Sequence, residues 1–178
     1  MKRCNWRVKR NVEAFRGAAF ATMDPGVHGW VLGFSAGSRL PTTHGDPMVP
    51  ESCATALERC GARLLILEDQ FVTDSRRARS VIELAFTMGV TVGWVLHDFW
   101  QVGAELTLMH VAPATWQATQ RAAHGGVVGK GEAAKLALRQ AEYVLGETLA
   151  WKSADSKART GIAAAWGIAE WWRGVVDG

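Results

Sequence analysis

The sequence predicts an α/β domain built on a five-stranded mixed sheet. Three observations predict it. Residues 18–24 and 29–35 are apolar runs joined by Asp24-Pro25-Gly26, a hairpin signal. Residues 63–70 contain an unbroken Leu64-Leu65-Ile66-Leu67, as strands buried on both faces do. Beyond the hairpin, segments of helical character alternate with apolar runs. The 178 residues suit one domain, and a hydrophobic content of 48% argues against disorder.

Residues 1–17 read as a basic lead-in, carrying Lys2, Arg3, Arg7, Lys9, Arg10 and Arg16 against the acid Glu13. Residues 18–178 then form the domain. After the two hairpin strands, Ala36-Gly37-Ser38 turns the chain into a shorter third strand at 39–44, completing an antiparallel meander. Residues 45–50 are a loop with Pro47 and Pro50. Residues 51–60 are helical, with Gly61 as the stop. The strand at 63–70 ends in Glu68-Asp69-Gln70. Asp74 can cap the next helix, whose buried stripe is Val81, Leu84, Ala85 and Met88. We read 90–96 as its continuation, although Val90, Val92 and Trp94 alternate as in a strand. The last strand is 106–111. Pro113, Gly125, Gly126, Gly129 and Gly131 make 112–131 a loop. Residues 132–149 form a helix. Ser153 or Asp155 caps a final helix running to about 173, with Ile162, Trp166 and Ala169 on one side.

A helical crossover makes 63–70 parallel to the first strand. Both strands then end at the same sheet edge, with Asp24 and Glu68 close together. Like charges at close range raise each other's pKa unless a cation lies between them. Paired acids without a basic partner are ligands for hard cations. Asp155 can supply a third carboxylate if the final helix crosses that edge. The plainer alternatives are an Asx turn for Asp24 and N-capping for Asp155.

The net charge is +3, unevenly spread, with a second basic cluster at Arg76, Arg77 and Arg79. Such patches suit a polyanion, or simply a solvated surface. Cys53 and Cys60 lie seven apart on a helix, roughly 10 Å by helical rise, too far for a disulfide. Three cysteines with no C-x-x-C pattern indicate reduced thiols and a cytoplasmic setting. No uninterrupted apolar run of about 18 residues occurs, so no membrane span is expected. Gly129-Lys130-Gly131 lacks the spacing and hydroxyl of a Walker loop, and no Gly-x-Ser-x-Gly elbow exists.

The ordered set of motifs resembles the RuvC-type Holliday-junction resolvases of the RNase H-like superfamily, phage members above all. Met23-Asp24-Pro25-Gly26 is similar to that family's opening strand end. Leu67 to Phe71 is similar to its second acidic strand end. Val111 to Gln117, Gly129-Lys130-Gly131 and Lys135 resemble its Pro-bearing loop, Gly-x-Gly turn and basic helix. The stretch from Asp155 to Gly167 resembles its Asp/Ala-rich final helix.

The resemblance implies an RNase H-like fold and a Mg²⁺-dependent endodeoxyribonuclease that nicks four-way DNA junctions symmetrically as a homodimer. It puts Asp24, Glu68 and Asp155 in the catalytic metal site, with two Mg²⁺ ions or Mn²⁺ in their place. Phe71 would contact bases, or else be core. Lys130 and Lys135 would hold phosphates, or else be solvated, and Arg76 and Arg77 would add to DNA binding. The long helix from Asp74 is the expected dimer contact. Two departures stand out. Arg159 occupies the place of a second acid on the last helix, where it could bind the scissile phosphate, and Gln117 replaces an expected lysine. Two alternatives follow: an RNase H-like nuclease on RNA-DNA hybrids or flaps, and a junction-binding scaffold weakened in catalysis through Arg159.

Overall fold

A computed structural model describes residues 12–26, 28–69, 78–123, 125 and 132–177. Its sheet contains β1 (Phe20–Met23), β2 (Val31–Phe34), β3 (Thr43–Gly45), β4 (Leu64–Glu68) and β5 (Thr107–Val111), in the order β3-β2-β1-β4-β5. The first three strands pair antiparallel, and β4 and β5 add in parallel beyond β1. This is the expected mixed architecture. The helices are α1 (Pro50–Cys60), α2 (Ala78–Gln101), α3 (Pro113–Ala123), α4 (Glu132–Leu145), α5 (Leu149–Ser153) and α6 (Ser156–Asp177).

The central strands are buried along almost their whole length because both sheet faces are covered. Side chains alternate between faces along a strand. Ala21 and Met23 of β1 and Leu65 and Leu67 of β4 pack with Leu57 of α1 and Met88, Val95 and Phe99 of α2. Phe20, Leu64 and Ile66 point the other way, into a core with Trp116 of α3 and Ile162, Trp166 and Trp172 of α6. Thr22 shares this second face. It is fully buried, and its hydroxyl donates to the carbonyl of Ala165 at 2.8 Å. That bond satisfies a polar group that burial would otherwise penalise.

Several boundaries differ from the sequence reading. The largest correction concerns 112–131, which is not all loop, because α3 occupies Pro113–Ala123. Pro113 begins that helix, where a missing N–H costs nothing, and Trp116 and Gln120 form its buried face. The helix expected over 132–149 stops at Leu145. Thr148 then caps the separate α5, its side chain accepting from Trp151 N. The third strand is Thr43–Gly45 rather than 39–44, and the final helix continues to Asp177. Residues 90–96 are helical as expected, within α2. At the basic lead-in, Val12 and Phe15 of the short 3-10 turn Val12–Phe15 pack on the α6-side core. Asp74, the expected cap of α2, lies outside the described residues.

Gly61 ends α1 in the left-handed conformation, φ 70°, with its N–H bonded to Glu58 O. Cys53 and Cys60 are free and buried, and burial pushes the Cys53 thiol up to about 12. Val81–Gln101 is long and apolar enough to cross a membrane by length and composition. Its few charged side chains interrupt the apolar run without cancelling the average. One face of that helix, through Met88, Val95 and Phe99, lies in the core of this domain.

Candidate active site

The parallel pairing of β1 and β4 sets the site. Met23 lies opposite Leu67, so Asp24 and Glu68 leave the sheet side by side at its C-terminal edge. Strand alternation puts both acids on the α6-facing side, with Phe20, Thr22, Leu64 and Ile66. Asp69, one residue on, belongs to the opposite side, as expected. There its Oδ1 and His110 Nδ1 are 3.0 Å apart, beside a cavity of about 280 Å³ bounded by Pro25, Met88 and Val92.

The hairpin after β1 is tight. Asp24 Oδ1 accepts from Gly26 N at 3.3 Å, and Asp24 N donates to Trp30 O at 3.1 Å. Asp24 therefore makes the Asx-type contact offered as the plain alternative, and it also adjoins Glu68. A Cβ on Gly29 would stand 1.9 Å from the Asp24 carbonyl oxygen, so only glycine closes this turn.

Burial raises Asp24 to about 6, against the lowering effect of the Gly26 N–H. Burial and then the Asp24 charge raise Glu68 to about 7, against the lowering effect of the Trp116 N–H. The two carboxyls lie close enough for each to shift the ionisation of the other. Among the described residues neither has a salt-bridge partner. Two half-buried, neighbouring carboxyls, with oxygen donors only, fit a hard divalent cation.

Asp155 is not brought into contact with this pair. It is exposed at the N-terminus of α6, where its Oδ1 accepts from Lys157 N at 2.9 Å and Ala158 N at 2.8 Å. The Ala158 N–H leads the effects that lower its pKa, and the charge of His28 adds to them. His28 belongs to the β1–β2 hairpin, so the N-terminus of α6 lies over the loop that carries Asp24. Gly161 makes this approach possible, since a Cβ there would stand 2.0 Å from His28 O. Among the described residues, no three His, Cys, Asp or Glu side chains are grouped closely enough to hold a metal ion.

The chain is similar to a solved structure of Thermus thermophilus RuvC, with a TM-score of 0.51 and 18% identity over 90% of this chain and 97% of that one. The fold is that of RuvC. A second solved structure, T. thermophilus RuvC in complex with Holliday junction substrate, matches at 19% identity over 89% of this chain and 97% of that one, with a TM-score of 0.49. No protein-family model and no curated protein matches the sequence.

On this RuvC fold the other expected site residues fall as follows. Phe71, Arg76, Arg77 and Lys130 lie outside the described residues. Lys135, on α4, donates to Glu132 Oε1 at 2.8 Å on an exposed face. Arg159, on the first turns of α6, donates through Nε to Trp151 O at 3.3 Å, and its guanidinium lies 5.6 Å from the Trp151 ring centroid. Sequence reasoning missed Trp116, whose Nε1–H donates to Glu68 Oε1 at 3.3 Å. It stood in the segment read as loop, and no motif marks an indole as the partner of a distant carboxylate.

Proposed function

We propose that this chain is a divalent-metal-dependent endodeoxyribonuclease that resolves four-way DNA junctions by symmetric nicking. The observation that carries the reading is the half-buried Asp24–Glu68 pair, raised in pKa, at the C-terminal edge of two neighbouring parallel strands in a RuvC fold. Asp24 and Glu68 would hold Mg²⁺ or Mn²⁺, with Asp155 as the third carboxylate. Both cap bonds of Asp155 fall on Oδ1, so Oδ2 takes part in neither. When bound, paired divalent ions stabilise charge on the attacking and leaving oxygens of a phosphodiester.

The protein's own part is placement. The β1–β4 register sets the spacing of the two acids. The Gly26 N–H orients Asp24, and the Trp116 indole holds one oxygen of Glu68. Arg159 and Lys135, with Phe71, Arg76, Arg77 and Lys130, are the proposed DNA contacts. Phosphate contacts of this kind position the duplex without reading its sequence.

Symmetric nicking needs two sites related by a two-fold axis. Ile82, Phe86, Val90 and Trp94 recur every four residues along α2 and are 63, 73, 51 and 40% exposed. An apolar stripe of this kind suits a second copy of the chain, and we propose a homodimer through it. The buried free thiols accord with a cytoplasmic setting. The Ala-rich α6 that follows Asp155 supports the phage type of resolvase.

The test is a nicking assay on a synthetic four-way junction, with Mg²⁺ and with chelator. Metal-dependent paired nicks are expected. Equal cutting of a plain RNA-DNA hybrid would favour the hybrid nuclease instead. A second reading, a junction-binding scaffold, is favoured by the distance of Asp155 from the pair and by Arg159 in place of an acid. It predicts tight binding with no cutting.

A further inference from the structure

The indole of Trp116 stands between Glu68 and Gly167. It is 2% exposed and donates its N–H to Glu68 Oε1 at 3.3 Å. On its other side, a Cβ added at Gly167 would lie 2.6 Å from the ring's Cζ3 and 2.8 Å from Cε3. Only glycine at 167 leaves the ring where it is. The same helix, α6, is tied to β1 by the Thr22 hydroxyl on the Ala165 carbonyl. Ring, carboxylate and helix are therefore placed by one set of close contacts.

We propose that Trp116 is a positioning residue for Glu68, fixing which carboxylate oxygen turns toward Asp24 and a divalent cation, with Gly167 setting the place of the indole. The inference rests on reading Asp24 and Glu68 as the cation-binding pair. A ligating carboxylate free to rotate presents either oxygen. One whose Oε1 is held by an N–H presents Oε2 in a single orientation, which is how outer partners tune a metal site. Gln120, one turn along α3, is also buried, so the helix face that carries the indole is held in the interior.

The experiment titrates Mn²⁺ into DNA-free protein and follows binding by electron paramagnetic resonance. The parent, Trp116→Phe, Gly167→Ala and Glu68→Gln are compared, with thermal unfolding as the control for packing. Trp116→Phe keeps an aromatic ring and loses the N–H. It is expected to bind Mn²⁺ about tenfold more weakly while still unfolding cooperatively. Gly167→Ala keeps the N–H but displaces the ring, and weaker Mn²⁺ binding is expected there too. Parent-like affinity in Trp116→Phe overturns the proposal. Should that variant not fold, parent-like affinity in Gly167→Ala overturns it. Parent-like binding by Glu68→Gln strikes instead at the reading of the site. No Mn²⁺ binding by the parent overturns both.

Discussion

Gly161 lies so close to His28 that any side chain at 161 would meet the His28 carbonyl oxygen. The contact seats the N-terminal turns of α6 on the β1–β2 hairpin, and so sets Asp155 near the loop that begins at Asp24. Gly161→Ala must move helix or hairpin. Overpacking of this kind costs about 1–3 kcal/mol. We expect a loss of that size in denaturant unfolding, together with slower junction nicking. An unchanged unfolding midpoint would mean that the hairpin yields freely.

The Asp24–Glu68 pair makes stability depend on pH in a definite direction. Both groups have raised pKa values in the folded chain, to about 6 and about 7. Between about pH 4 and pH 7 the native state therefore holds protons that the unfolded chain has released. Stability falls as pH rises through that window, and a bound cation reverses the loss. In chelator at pH 8, the Asp24→Asn/Glu68→Gln variant should melt above the parent by about 5 °C, given about 2–4 °C per kcal/mol at this size. At pH 4 the difference should vanish. Mg²⁺ at pH 8 should raise the melting point of the parent alone. Calorimetry at the two pH values checks all three.

The exposed stripe on α2 predicts what a charge will do there. Phe86→Glu, at the most exposed of its four positions, should leave the fold intact, since that side chain is 73% exposed. It should convert a dimer to a monomer by light scattering at micromolar concentration. Paired nicks should become single, uncoordinated nicks. A parent already monomeric at that concentration would count against the stripe as an interface.

The sheet was readable because its information is local. Apart from Thr22, residues 20–23 and 64–67 are apolar on both faces, as strands covered on both sides must be, and a helical crossover leaves them parallel. From that follows the adjacency of Asp24 and Glu68, which no motif states. Helix α3 was hidden because Pro113 and the glycines from 125 onward carry loop signals, while its buried face consists of Trp116 and Gln120, too few to establish a period. The Trp116–Glu68 bond joins residues 48 apart and depends on how α6 seats the ring. The position of Asp155 was half readable. Its capping role is local, whereas its distance from the pair depends on the hairpin and on Gly161.

Arg159 is the departure with the clearest consequence for binding. Its guanidinium stacks near Trp151 on the first turns of α6, close to the Asp155 cap. If it meets a phosphate, Arg159→Ala should weaken junction binding across sequences and reduce the slope of log affinity against log salt by about 1. Fluorescence anisotropy over a salt series measures this. An unchanged slope would leave Arg159 as a partner of Trp151 only.

The most direct measurement is the pairing of binding with cutting in Glu68→Gln. The substitution keeps the shape of the side chain and removes the charge that a divalent cation needs. On a synthetic four-way junction in Mg²⁺, the account predicts parent-like affinity in a gel-shift titration and a loss of nicking of at least about a thousandfold, on the order of 4 kcal/mol in the barrier. Nicking at the parent rate by Glu68→Gln would contradict it.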